Sequence, residues 1–263
     1  LGDAALQRPC EVDPEGPALL LGTSGTTGEP RAVVVTQRGL AQHALALDYL
    51  KAGLLDRAEA ALLKLEGTAF ESQARLALLA NYERSRDWVH AAEIARKLEK
   101  SDQGSFSSRL AHYLCEQALA YSDQPTDAAA SRQAIGLLQQ AIATAPSAPR
   151  PRMALALLQA QMGDAPAAYA TLAQTLETAP AATPLLAAQL AQAAITARRA
   201  CNALALLKDR YASAPSLDVL EGIVALEAAI EGPSPSARDW YVTHLEREPS
   251  LVAAAKWIAG EKL

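Results

Sequence analysis

The sequence predicts an all-α solenoid of stacked helical hairpins, and three observations predict it. The first is self-similarity. Four segments align without an internal gap: Gln133–Ala134 to Pro146, Ala167–Ala168 to Pro180, Asn202–Ala203 to Pro215 and Ser236–Ala237 to Pro249. In each, an alanine is followed twelve positions later by a proline, and the alanines lie 34, 35 and 34 residues apart. The second is composition. Half of the 263 residues are hydrophobic but only 5% are aromatic, and a core rich in Ala and Leu suits closely approaching helices better than a sheet. The third is punctuation. From Leu40 onward, Ala/Leu stretches of helical period alternate with short breaks, and nothing reads as strand.

A period near 34 is that of the tetratricopeptide repeat (TPR), a right-handed superhelix in which each unit is two antiparallel helices. Each recurrent residue has a physical reason. The alanine lies where the second helix crosses the first, so a small side chain lets the backbones approach. Gly53 and Gly163 suit the turn between the two helices, because glycine accepts positive φ without steric cost. The proline ends the second helix. Two earlier units lack the proline but keep their alanines at 58 and 91, each with a tyrosine nine positions before it, Tyr49 and Tyr82. The third unit carries an insertion, Ser122 to Asp127, longer than a TPR turn. Leu251–Ala259 reads as the first helix of a further unit. About six repeats and a partial terminal helix therefore occupy residues 40–263.

Residues 1–39 differ. They hold Pro9, Pro14, Pro17 and Pro30, six glycines, and two β-prone apolar runs, Ala18–Leu21 and Ala32–Val35. This segment reads as hairpin-like or irregular. A two-stranded hairpin is marginal alone in water, so its apolar residues must pack on the first TPR helices, pair with another chain or stay disordered.

Charge and reactive residues restrict the function. The net charge of −5 argues against nucleic acid as the main partner. Cys10, Cys115 and Cys201 are far apart and odd in number, with no C-x-x-C pair, so reduced thiols are expected and neither a disulfide framework nor a metal site. Cys115 and Cys201 fall in helical segments and are expected in core packing. Four histidines lie scattered; His112 could reach Glu116 one turn on. Trp88, Trp240 and Trp257 read as inter-helix packing. The alanine-rich run Leu185–Ala200 is broken by Gln189, Gln192, Arg198 and Arg199, so it reads as a buried first helix. No apolar run reaches the length of a membrane span, and no signal peptide is visible. The chain begins at Leu1, as a piece of a longer protein would.

The stacked first helices of a TPR array form a groove that binds a peptide or protein segment. Counting back from the repeat alanines places Lys51, Glu83, Arg84, Arg150, Gln161 and Gln192 on that groove. Their charges would orient a partner and apolar neighbours would supply contact area.

Two resemblances sharpen this reading. Ala46–Glu59 (ALDYLKAGLLDRAE), Ala111–Ala118 (AHYLCEQA) and Trp257–Leu263 (WIAGEKL) resemble the lipopolysaccharide assembly protein B family, over about residues 41–263. The resemblance implies a bacterial adaptor, not an enzyme. It would sit at the cytoplasmic face of the inner membrane and link the deacetylase LpxC to the protease FtsH. The family's N-terminal membrane helix and its metal domain with paired C-x-x-C motifs have no counterpart in this sequence.

The second resemblance lies in residues 19–36, LLLGTSGTTGEPRAVVVT. Thr23 through Gly28, then Pro30 after one free position, are similar to the phosphate loop of adenylate-forming (AMP-binding) enzymes. Gly25 and Gly28 would turn backbone N–H groups toward an anion, and Thr23, Ser24, Thr26 and Thr27 offer hydroxyl donors. Arg31 stands where the family has lysine, and a guanidinium fork is not equivalent to an ammonium. The family's further motifs for adenine, ribose and the catalytic lysine are not found, and only about 40 residues resemble it. The segment therefore reads as an inert remnant or fusion. A nucleotide-binding or acyl-adenylating fragment carrying a TPR domain is the alternative.

Overall fold

The computed structural model of the chain describes residues 13–23, 31–100, 105–122, 128–232 and 236–260. Among them stand thirteen α-helices and one two-stranded sheet. β1 (Pro17–Thr23) pairs antiparallel with β2 (Arg31–Thr36), with an irregularity between Pro17 and Leu19. The helices follow as α1 (Gln37–Lys51), α2 (Leu55–Leu63), α3 (Glu71–Ser85), α4 (Trp88–Lys100), α5 (Ser107–Ser122), α6 (Ala128–Thr144) and α7 (Pro149–Gln161). Then come α8 (Ala165–Thr178), a 3₁₀ turn at Pro180–Ala182, α9 (Thr183–Thr196), α10 (Ala200–Ser213), α11 (Leu217–Glu231), α12 (Ser236–Arg247) and α13 (Leu251–Gly260). Consecutive helices pair as six hairpins, with α13 left over, and the fold is that of a TPR array. The chain divides into two compact units, Leu1–Phe106 and Ser107–Leu263.

The recurrent alanines sit where the period requires. Ala58 and Ala91 in the first unit, and Ala134, Ala168 and Ala203 in the second, are fully buried. The side chain of Ala237 lies outside the described residues. Leucines complete the seams. Leu62, Leu65, Leu79 and Leu98 fill the first unit, and Leu172, Leu176, Leu186, Leu190 and Leu207 the second. Each such burial contributes roughly 1.5–3 kcal/mol relative to exposure.

The prolines act as expected. Pro180 and Pro215 follow directly on Ala179 and Ala214, which leave the helical region at φ −138°, ψ 68° and φ −145°, ψ 89°. The hairpin turns carry a shared hydrogen-bond pattern. Leu54, Asp87, Asp164 and Arg199 each donate their N–H to the carbonyl five residues back, on Tyr49, Tyr82, Gln159 and Ala194, at 2.7–3.0 Å. This is the 6→1 bond of a Schellman ending, which needs a left-handed residue just before the donor. Gly53 (φ 73°) and Gly163 (φ 84°) supply it in two turns, and Arg86 (φ 58°) and Arg198 (φ 57°) in two others.

The N-terminal hairpin packs on the first helix. Val35 is buried, whereas Leu20 and its cross-strand partner Val34 are exposed. No linker separates β2 from α1. Thr36 ends the strand and caps the helix, its Oγ1 accepting from Gly39 N at 3.1 Å. Gln37 N donates to Gly16 O and Arg38 N to Pro14 O, at 3.1 and 2.9 Å. Three amide groups of the first turn, otherwise orphaned, are thus satisfied by the hairpin and its lead-in. No helix among the described residues is long and apolar enough to cross a membrane.

Candidate functional site

The repeat fixes which first-helix residues face away from the seam. Residues eleven positions before their repeat alanine are Leu47, Ala80, Leu157 and Gln192, and those seven positions before it are Lys51, Arg84, Gln161 and Thr196. All eight are exposed. In the first unit the ends of α1 and α3 come together. Arg84 Nη1 donates to Leu50 O at 3.4 Å, beside exposed Lys51, and Glu83 is half-buried. The exposed side chains of Leu40, Leu47 and Leu76 add apolar surface on the same helices.

The second unit holds the better-formed site. A cavity of about 330 Å³ opens between α7, α8 and α9, lined by Leu157, Ala160, Gly163, Gln189, Gln192 and Thr196 among others. Its walls are mostly aliphatic, and Leu157 is about half exposed. Its polar residues are Gln189, Gln192 and Thr196, two amides and a hydroxyl. Of the residues expected on the groove, Gln192 lines this cavity. Gln161 is exposed at the end of α7.

Arg150 is engaged differently. At the start of α7 it reaches back to α5, where its guanidinium pairs with Glu116 and its Nη1 lies 3.0 Å from His112 Nδ1. His112 and Glu116 are themselves 3.8 Å apart, one helical turn along α5. Arg150 and Glu116 cross-link adjacent first helices, and the arginine side chain stays about half exposed.

Ser24 to Gly28 of the glycine-rich loop lie outside the described residues, as do the side chains of Thr23 and Arg31. The structure places only the strands that flank the loop. No group of three or more His, Cys, Asp or Glu able to hold a metal ion occurs among the described residues.

No family model matches the chain. Over 97 residues it is 35% identical to lipopolysaccharide assembly protein B of Escherichia coli (strain K12), covering 36% of this chain and 25% of that protein. Over 145 residues it is 32% identical to the protein of the same name from Haemophilus influenzae, covering 55% of this chain and 35% of that protein. The chain thus spans about a quarter to a third of the length of the curated relatives it matches. It is also 42% identical over 89 residues to the probable nonribosomal peptide synthetase CymA of Salinispora arenicola, covering 30% of this chain and 1% of that protein. Among solved structures it is similar to PilF of Pseudomonas aeruginosa, at 21% identity, 84% of this chain, 96% of that one and a TM-score of 0.42. Another is YrrB, titled a TPR protein with an unusual peptide-binding site. There the identity is 12%, the coverage 76% and 96%, and the TM-score 0.46.

Some features of the site escape sequence reasoning. Leu157 shares a repeat position with Gln192, and that register was a usable signal for it. Gln189 carried no such signal, because its place on the cavity wall depends on how α9 rotates against α7 and α8. Cys201 departs from expectation. It lies in the first turn of α10 and is exposed, whereas Cys115 is fully buried. Burial pushes the Cys115 thiol up from its ordinary pKa, against the influence of Arg150, which leaves it inert.

Proposed function

We propose that the chain is a TPR adaptor. It holds a segment of a partner protein on its first-helix face, and it serves the regulation of lipopolysaccharide synthesis by bringing LpxC to FtsH at the cytoplasmic face of the inner membrane. The observation that carries the binding half is the cavity between α7 and α9: an apolar floor with amide groups on its wall to fix orientation. The similarity to lipopolysaccharide assembly protein B supports the biological half. Residues 1–39 then form an appended fragment and residues 40–263 the working repeat domain. The experiment is a pull-down on the immobilised chain with purified LpxC and the cytoplasmic portion of FtsH as prey. Retention of both, lost on Ala160→Trp, is the expected result. Retention of neither by the folded chain removes the lipopolysaccharide assignment.

A second reading draws on the similarity to CymA. In it, residues 23–31 bind the phosphates of a nucleotide, as a nucleotide-binding or acyl-adenylating fragment would. Calorimetric titration with ATP decides it. Saturable heat that disappears in Gly25→Val favours nucleotide binding, and a flat titration leaves the segment an inert remnant.

A further inference from the structure

Two cavities open at successive turns of the second unit, and they differ in charge. The first is the 330 Å³ cavity between the α7–α8 turn and α9. The second, about 310 Å³, lies one repeat on, between the α9–α10 turn and Ala229 of α11. Both draw on α9, where Thr196 lines the first and Ile195 the second. Where the first turn presents Gly163 and the exposed Asp164, the second presents Arg198 and Arg199. Both arginines are exposed, and neither makes an ion pair among the described residues. No acidic side chain is among the residues that line either cavity. On a chain of net charge −5, two unpaired guanidinium groups beside an apolar cavity form a local exception.

Resting on the reading of the first-helix face as the partner site, the geometry points to an acidic partner segment. An aliphatic side chain of that segment enters the cavity over Leu157 and Ala160. The Gln189 and Gln192 side chains and Thr196 on the cavity wall offer hydrogen bonds to the backbone beside it. An Asp or Glu carboxylate within a few residues meets the forked donors of Arg198 and Arg199. The net charge of −5 disfavours an acidic segment elsewhere on the chain, so the arginine pair sets the register in which the segment docks. Arg198 holds this place although its φ of 57° is one that glycine takes more easily.

The test uses the whole 263-residue chain. A phage-displayed library of random dodecapeptides is panned against it, and the enriched peptides are labelled with fluorescein for anisotropy. The expected sequences pair an aliphatic residue with nearby Asp or Glu, and their binding weakens with added salt. Arg198→Ala with Arg199→Ala should weaken it roughly tenfold and flatten the salt dependence. Ala160→Trp, at an exposed position, should abolish it. Arg198→Gly relieves the backbone while removing the charge, so it should keep or raise the melting midpoint and still weaken binding. Enriched peptides without acidic residues overturn the acidic assignment. So does binding lost in Ala160→Trp but unchanged in the double arginine variant. Both of these results leave the groove reading intact. If no peptide is enriched, or if Ala160→Trp changes nothing, both readings fall.

Discussion

At the residue scale, the array depends on what a few positions cannot accommodate. Ala168 has no exposed surface at the α7–α8 crossing, so Ala168→Leu should destabilise by about 1–3 kcal/mol through overpacking, read as a lowered urea midpoint. The turn residues test a different quantity. A Cβ added at Gly163 meets nothing within 4 Å, so Gly163→Ala should cost only the left-handed backbone penalty, roughly 1 kcal/mol. Arg86→Gly, at φ 58°, reverses that change and should be neutral or stabilising in a thermal melt. Together they separate backbone strain from packing. The turn glycines were legible in the sequence. The arginines were not, because the closing bond is made by backbone atoms and leaves no mark on the side chain at its left-handed position.

Asp87 and His90 give the residue scale a pH signature. Asp87 precedes α4, and its Oδ1 accepts from His90 N at 3.1 Å while its Oδ2 lies 2.7 Å from His90 Nδ1. The hydrogen bond that the imidazole donates to Asp87 raises the His90 pKa, with burial working against it. Burial works to raise the Asp87 pKa, but the bonds from the His90 side chain and backbone outweigh it and leave the carboxyl lowered. The signs follow from linkage. The histidine contribution is fully present below its unfolded pKa near 6.5 and is lost as pH rises through the raised value. The aspartate contribution is present above 3.8 and fades as pH falls through the lowered one. An NMR titration of the His90 imidazole should give a midpoint above 6.5, returning toward it in Asp87→Asn. An unshifted midpoint in the unaltered chain would show the pair to be fully screened.

At the scale of elements, α9 and α11 pack closely because Gly222 has no side chain. A Cβ there would lie 2.9 Å from Leu207 Cδ1 and 3.2 Å from the Ala187 carbonyl oxygen. The second neighbour is backbone and cannot rotate away. Gly222→Ala gains up to about 1 kcal/mol of helix propensity but should still lower the midpoint, because separating the two helices costs about 1–3 kcal/mol. The hairpin makes a parallel case. Its strands were legible from Ala18–Leu21 and Ala32–Val35, yet the manner of attachment was not. Packing on α1 was one of three expected outcomes. What decides it is Thr36, which closes the strand and caps the helix at once. Ordinary capping preferences describe Thr36 only after the helix start is known.

For the whole molecule, the 34-residue period made the fold legible, because a repeated steric requirement leaves a repeated small residue. The division at Phe106 was less so. Ser101 to Ser105 are polar or small, which reads equally as an ordinary loop between repeats. The two units should unfold in separate steps. Trp88 reports on the first, and Trp240 and Trp257 on the second. Urea melts of Trp88→Phe, followed by fluorescence and by far-ultraviolet circular dichroism, should give non-coincident midpoints. Superimposable curves would mean one cooperative block. The candidate site was legible in part: Gln192 through register, the cavity itself only through the rotation of α9.

The contrast between the cysteines has a practical outcome. Cys115 is sealed and Cys201 stands at the mouth of the arginine-lined cavity. Once Cys10 is replaced by serine, a maleimide dye added to the native chain would attach beside Arg198 and Arg199 alone. Cys201 is thus a natural anchor for an optical gauge of occupancy, one that responds to whatever enters that turn.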